Sequence, residues 1–128
     1  MRIGILKETI NGEARVSATP ETVKKMIALQ HEVQVESGAG IGAAISDEMF
    51  RSEGAKIVDR SNILKSDLIL QVRAMNSDDI KLLQPNQYVV GLLEPFNLEL
   101  KNEFSQQKVT AFALEALPRN TRAQSMDV

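Results

Sequence analysis

Short apolar runs alternate with helix-start signals along almost the whole chain, and this alternation limits the possible folds more than any other feature. Six runs are rich in Val, Ile or Leu, at residues 3–6, 32–36, 56–59, 68–72, 88–93 and 109–114. Most of them are continuous rather than alternating, which is typical of parallel strands buried on both faces. The sequence therefore predicts a strand at each run.

Helix signals fill the gaps between these runs. Thr19, Pro20 and Glu21 supply an N-cap, a first-turn proline and an acidic first turn. Further helices are predicted from 46 to 54, over 61–65, from 77 to 85 and over 98–106. Short connections between strands and helices predict right-handed βαβ units. We therefore expect an α/β fold of the Rossmann-like or flavodoxin-like, doubly wound kind, with a mainly parallel sheet and helices on both faces.

The end of the sequence is predicted to begin a helix at Thr121, and the sequence stops at Val128. Two turns of helix are unstable alone in water. The prediction is that residues 1–128 form one α/β domain, incomplete at its C-terminus, and belong to a longer protein. A frayed natural tail is the alternative.

Composition excludes several classes of function. With no Cys and a single His, the sequence cannot form disulfides or Cys/His zinc sites, and no metal is expected. A net charge of −2 gives no reason to expect nucleic acid as a partner. No apolar run approaches the roughly 20 residues that span a bilayer, and no signal peptide is evident. We expect a cytoplasmic location with no direct membrane insertion by this segment. The one histidine, His31, is predicted at a turn and is interpreted as a surface residue.

A glycine-rich segment at 38–43 has the outline of a dinucleotide fingerprint. It reads G-x-G-x-x-A after a predicted strand, and Asp59 lies about twenty residues further on. The next helix, however, is predicted to begin at Ser46, so no helix N-terminus would face a pyrophosphate at the glycines. We favour a loop that bends sharply or packs closely.

Two polar segments follow strands at their carboxyl ends, where open α/β sheets bind ligands. The first, 7–20, contains Arg15, which is interpreted either as a partly buried ligand-binding guanidinium or as the partner of Glu8 or Glu13 in an internal salt bridge. The second, 118–127, contains side chains suited to phosphate, carboxamide or ribose recognition, which are Arg119, Arg122, Gln124 and Asp127. A solvated helix face is the alternative interpretation of the second segment. Arg73 and Glu94 also stand at strand ends.

These segments resemble the N-terminal part of the alanine dehydrogenase and nicotinamide nucleotide transhydrogenase family. Residues 4–20, GILKETINGEARVSATP, match the family's first signature, apart from Leu6, where many members have Pro. The run VESGAG at 35–40, followed by Ser46 and Asp47, also fits. The resemblance covers essentially the whole chain.

Within the family, RAQSMD at 122–127 resembles the transhydrogenase α subunits. The resemblance implies that Arg119, Gln124 and Asp127, with Arg122 beside them, contribute to an NAD(H) nicotinamide site. It implies hydride transfer between NADH and NADP⁺ held by a partner component, coupled in the complete enzyme to proton translocation. It also implies a homodimer, NADP-binding and membrane-spanning partner subunits, and a position peripheral to the inner membrane through those partners.

Alanine dehydrogenases instead carry a pyruvate-binding Arg, a Lys and a catalytic His. Arg15 matches the first, Arg73 stands where the Lys is expected, and Glu94 stands near the expected His. Because Arg stays charged, it is poorly suited to exchange a proton with an amino acid. In the family a GxGxxG domain follows this one, so residues 1–128 are expected to be inactive alone. An alanine dehydrogenase-like oxidoreductase and a non-catalytic nucleotide-binding module remain the alternatives.

Overall fold

The computed structural model describes residues 1–94 and 97–116. In chain order the main elements are β1 (Arg2–Ile5), α1 (Pro20–Ala28), β2 (Glu32–Glu36), α2 (Asp47–Ser52), β3 (Lys56–Val58), α3 (Arg60–Ile63), β4 (Leu68–Arg73), α4 (Ser77–Lys81), β5 (Tyr88–Leu92), α5 (Leu98–Gln106) and β6 (Thr110–Ala113). They form one sheet of order β3-β2-β1-β4-β5-β6 in which every neighbouring pair is parallel. This confirms the doubly wound α/β prediction, and the order is that of the Rossmann fold rather than of flavodoxin.

Side-chain caps start the helices where the sequence predicts them, with one shift. The Thr19 hydroxyl accepts the N–H of Thr22 at 3.2 Å, and Pro20 opens α1 as expected. Helix α3 starts at Arg60 rather than Ser61, because the Asp59 carboxylate accepts the N–H of Asn62 at 3.0 Å. Asp59 is therefore a helix cap, and its Oδ1 accepts both the N–H and the side-chain amide of Asn62. Within the described ranges, every helix is too short or too polar to cross a membrane.

Two apolar clusters hold the helices against opposite faces of the sheet. On one face, α1 and α2 cover the half of the sheet around β1 and β2, through the side chains Ile5, Val23, Val33, Val35 and Phe50. On the other face, α3, α4 and α5 cover the centre and the β5 side, through Ile63, Ile69, Ile80, Val89 and Phe104. The core therefore consists of two apolar layers, one built with the helices that precede β3 and the other with the helices that follow it.

The edge strand β6 departs from the predicted burial on both faces. Phe112 is 53% exposed and stacks on the half-exposed ring of Tyr88, with 6.3 Å between the ring centroids. Both rings lie on the face that α1 and α2 cover only around β1 and β2. Continuous burial is confirmed for β1, where the successive residues Ile3, Gly4 and Ile5 are all buried, because β1 lies near the middle of the sheet.

Candidate functional site

The edge of the sheet beside β1 and β4 is where the strand order reverses. From β1 the chain moves to one side through β2 and β3, and it then returns to the other side through β4, β5 and β6. Ligands of open α/β sheets bind outside the carboxyl ends of the strands at such a point. Residues 7–19, which follow β1, and Arg73, which ends β4, lie at this edge.

Glu8 fastens the segment after β1 to the end of β4. Its carboxylate accepts the N–H of Val72 at 2.8 Å and the N–H of Arg73 at 2.7 Å. Both bonds lie where the pairing of β4 with β5 changes register. Hydrogen bonds to a charged acceptor are stronger than neutral ones, so Glu8 acts as a tie between the loop and the sheet.

Glu13 binds two arginines at once. Arg15 donates from Nε and a terminal nitrogen to the two carboxylate oxygens, at 2.9 Å and 2.8 Å, and its main-chain N–H donates at 3.0 Å. Arg73 donates from Nε to the same carboxylate at 3.1 Å. The hydrogen bonds from Arg15 hold the pKa of Glu13 far below its usual range, and the Glu13 carboxylate raises the pKa of Arg15. The structure thus brings Arg15 and Arg73 together at the strand ends.

Burial at this cluster is the reverse of what the sequence indicated for Arg15. The Glu13 side chain is only 5% exposed, whereas Arg15 is 60% and Arg73 51% exposed. The internal salt bridge exists and its partner is Glu13, because Glu8 is engaged with β4. The partly buried Arg15 of the sequence prediction is wrong: the acid is buried and the guanidinium reaches solvent.

A second ionic network, centred on Arg60, was missed by the sequence analysis. Arg60 donates to Asp79 at 2.9 and 2.7 Å, to Glu36 at 2.8 Å and to the carbonyl of Lys7 at 3.1 Å. Burial works against the Arg60 charge, but the bond to Asp79 and the nearby Glu36 outweigh it and raise the pKa of Arg60. Glu36 also accepts the N–H of Lys7 at 2.8 Å. No local sequence signal links these residues, because they come from different elements.

The glycine-rich loop is confirmed as a packing element. A Cβ on Gly40 would lie 2.7 Å from the carbonyl oxygen of Ile45 and 2.8 Å from the ring of Phe50, and a Cβ on Gly42 would lie 3.0 Å from the carbonyl oxygen of Ala14. Protein atoms therefore occupy the space that a phosphate would need at these two glycines. Through Gly42 the loop also supports the segment that follows β1.

Glu94 lies apart from the arginine pair. It follows β5, is exposed, and has a left-handed backbone with φ of 52°. The Glu115 carboxylate accepts the N–H groups of Leu93 and Glu94 at 3.0 and 3.2 Å, repeating at β5 what Glu8 does at β4. The groove that Glu94 lines includes Asn97 but neither of the paired arginines. Sequence reasoning missed Glu115, whose partners are 21 and 22 residues away.

The remaining predicted residues are placed as follows. His31 immediately precedes β2 and so lies at the amino edge of the sheet, opposite the candidate site, but it is half-buried, with a buried Nδ1, rather than the surface residue that was expected. Four predicted cofactor residues lie outside the described residues, namely Arg119, Arg122, Gln124 and Asp127. Within 1–94 and 97–116, no three Asp, Glu or His side chains are grouped to hold a metal ion. The described part of the edge thus offers two exposed guanidiniums, which can donate to carboxylate, phosphate or carboxamide oxygens.

Comparison with known proteins gives consistent matches along the chain. Residues 4–128 match the family model described as the alanine dehydrogenase/PNT N-terminal domain. The chain is 35% identical over 128 residues to NAD(P) transhydrogenase subunit alpha of Haemophilus influenzae, covering 99% of this chain and 25% of that protein. It is 34% identical over 125 residues to alanine dehydrogenase 1 of Staphylococcus aureus, covering 97% and 34%.

Solved structures give the same two kinds of relative. The transhydrogenase of Sinorhizobium meliloti superposes with a TM-score of 0.94 at 35% identity, covering 99% of this chain and 39% of that one. An L-alanine dehydrogenase superposes with a TM-score of 0.89 at 27% identity, covering 96% and 34%. The chain therefore spans between a quarter and two-fifths of the length of these four proteins.

Proposed function

The chain belongs to the alanine dehydrogenase/PNT N-terminal domain family, and we propose that it is the N-terminal part of the NAD(H)-binding component of an NAD(P) transhydrogenase. The observation that carries this proposal is the structural comparison, in which the transhydrogenase has both the higher identity, 35% against 27%, and the higher TM-score, 0.94 against 0.89. Identity to the curated relatives alone, at 35% and 34%, does not separate the two activities.

In the complete protein this component would bind NAD(H) and a partner component would bind NADP(H). The bound nicotinamides supply the hydride chemistry, which in the full enzyme is coupled to proton translocation. The role of the chain is to hold and orient the cofactor, with Arg119 and Arg122 on its charged or carboxamide groups and Gln124 and Asp127 beside the nicotinamide. Its partners would be a second copy of itself and the NADP-binding and membrane-spanning subunits, which hold it at the inner membrane.

In this proposal, the described edge of the sheet gives the cofactor a rigid and positively charged surface. Glu8 and Arg60 fix the segment after β1 to β4 and α3, so the edge is ordered before any ligand arrives. The exposed guanidiniums of Arg15 and Arg73 would then hold an anionic or carboxamide group next to the strand ends. A rigid first layer of this kind reduces the ordering cost of binding.

The test of the assigned cofactor residues is Gln124→Asn in the complete α subunit. The shortened side chain keeps its amide but moves it by one methylene, so we expect the hydride-transfer rate to fall at least about tenfold, the loss of roughly one oriented hydrogen bond. Gln106→Asn, at the exposed end of α5, is the matched control and should leave the rate unchanged. A rate for Gln124→Asn within about twofold of wild type would refute the assigned role.

A second candidate, an alanine dehydrogenase-like oxidoreductase, is favoured by the pairing of Arg15 with Arg73, since two adjacent guanidiniums suit a carboxylate substrate. Two observations weigh against it. Arg73 stays charged where proton exchange calls for a group that can titrate, and the one histidine of the sequence lies at the opposite edge of the sheet. Alanine-dependent reduction of NAD⁺ by the complete protein would decide for this candidate.

Tight NADH binding by residues 1–128 alone would instead favour a non-catalytic binding module.

A further inference from the structure

Glu13 occupies an unusual position among the charged groups of the candidate site. Its carboxylate is almost fully buried, while both of its guanidinium partners are more than half exposed. Arg15 gives it Nε and one terminal nitrogen, whereas Arg73 gives it only Nε. Both terminal nitrogens of Arg73 and one of Arg15 are therefore not used in binding Glu13. One anchored acid thus holds two cations whose outer N–H groups can face a ligand.

We propose that Glu13 is the positioning residue of this edge: it fixes the spacing and orientation of the Arg15 and Arg73 guanidiniums and lowers the net positive charge around them by one. The inference rests on the anion-binding role proposed above for these two arginines. A lower positive charge favours a singly charged group, such as a carboxylate or a phosphate diester of a dinucleotide, over a phosphate dianion, so Glu13 also determines specificity. Glu13 acts through the arginines and does not itself touch the ligand.

Arg15 and Arg73 need a shared acid to stay together, and Glu13 is held firmly enough to provide it. Two guanidiniums without a shared acid repel each other, and exposed arginine side chains are otherwise free to separate. Glu13 has little freedom to move, because it also accepts the main-chain N–H of Arg15. The two arginines lie far apart in sequence, at the end of β4 and in the loop after β1, so Glu13 is the contact that makes them one unit.

The first test measures the arginine Nε–H signals of the 128-residue chain by NMR. In Glu13→Gln we expect the signals of both Arg15 and Arg73 to move and to exchange faster with water, while that of Arg60, bound to Asp79, stays in place. Glu32→Gln is the matched control, since Glu32 pairs with Arg2 on the surface and should leave Arg15 and Arg73 unchanged. Unchanged Arg15 or Arg73 signals in Glu13→Gln would overturn the proposal.

A second variant covers the case in which Glu13→Gln fails to fold. Arg73→Gln removes one of the two cations and leaves the acid in place. If Glu13 couples the pair, the Nε–H signal of Arg15 must move in this variant, because its acceptor loses a competing donor. An Arg15 signal that stays in place would overturn the coupling.

The specificity is tested by titrating the same signals with acetate and with inorganic phosphate. Without the Glu13 charge the pair carries one more net positive charge, so Glu13→Gln should shift the ratio of affinities toward phosphate by about tenfold. An acid with a merely structural role would leave this ratio of affinities unchanged. An unchanged ratio in Glu13→Gln would therefore overturn the specificity role of Glu13. If neither anion moves the signals of the wild-type chain, the proposed anion binding fails, and the positioning role is judged by the Nε–H signals alone.

Discussion

Replacing Gly40 by alanine should destabilise the chain through packing alone. The backbone at Gly40 has φ of −95°, a conformation that alanine adopts freely. A new Cβ would lie 2.7 Å from the carbonyl oxygen of Ile45 and 2.8 Å from the ring of Phe50, which is fully buried. Overpacking of a core typically costs about 1–3 kcal/mol, and a clash with backbone that cannot rotate away places this case near the upper end. We expect a loss of about 2–3 kcal/mol in the free energy of unfolding.

Urea denaturation followed by far-UV circular dichroism measures this loss, since the sequence has no Trp for fluorescence. For a domain of this size the expected change corresponds to a fall in Tm of about 8–12 °C. Gly12→Ala is the matched control: its Cβ would meet nothing within 4 Å, but its φ of +88° makes alanine strained, at a cost of about 1 kcal/mol. A loss below about 0.5 kcal/mol at Gly40, or loss of nucleotide binding by the complete protein with stability intact, would refute the packing role of the loop.

Two further predictions concern ionic contacts of the sheet edge. Burial would raise the pKa of Glu115, but backbone N–H donors outweigh it and lower that pKa, so the bonds of Glu115 to the end of β5 stabilise the fold at neutral pH and are lost as the pH falls through the carboxyl range. The difference in unfolding free energy between wild type and Glu115→Gln should therefore be full above about pH 5 and shrink below about pH 4. A difference that grows on acidification would contradict this. Arg60→Gln leaves Asp79 and Glu36 without their cation at a largely buried position, so it should lower the free energy of unfolding, measured by urea denaturation, by about 3 kcal/mol. Arg51→Gln, which breaks an exposed pair, should lower it by less than about 0.5 kcal/mol. Equal losses in the two variants would contradict the network.

The elements of the fold were predictable because their signals are local. A cap such as Thr19 and the proline after it act within one helical turn. An apolar run indicates by itself that its strand is buried. The edge strand was the exception, because the run that contains Phe112 carries no information about how many neighbours the strand will have. Position in the sheet is a property of the topology, and it is decided by the crossover from β3 to β4.

The site was predictable only in part, for the same reason. The strand-end rule placed Arg15 and Arg73 at one edge, and the short spacing between Glu13 and Arg15 made their salt bridge one of the expected alternatives. The ties of Glu8 to the end of β4 and of Arg60 to Glu36 join residues 64 and 24 positions apart. Composition and spacing do not reveal contacts of that range, which only the folded sheet creates.

The position of β4 beside β1 has a consequence for the order of events during folding. The pairing of β1 with β2 closes a short connection, whereas the contact between Glu8 and Val72 closes a loop of 64 residues. Contacts of long sequence separation form slowly, since the entropy of closing the loop is lost before the contact forms. An early intermediate built on β1, α1 and β2 would hold Glu13 and Arg15 but not Arg73. The two guanidiniums meet only when β4 has paired with β1, so the complete pair forms only in the native topology.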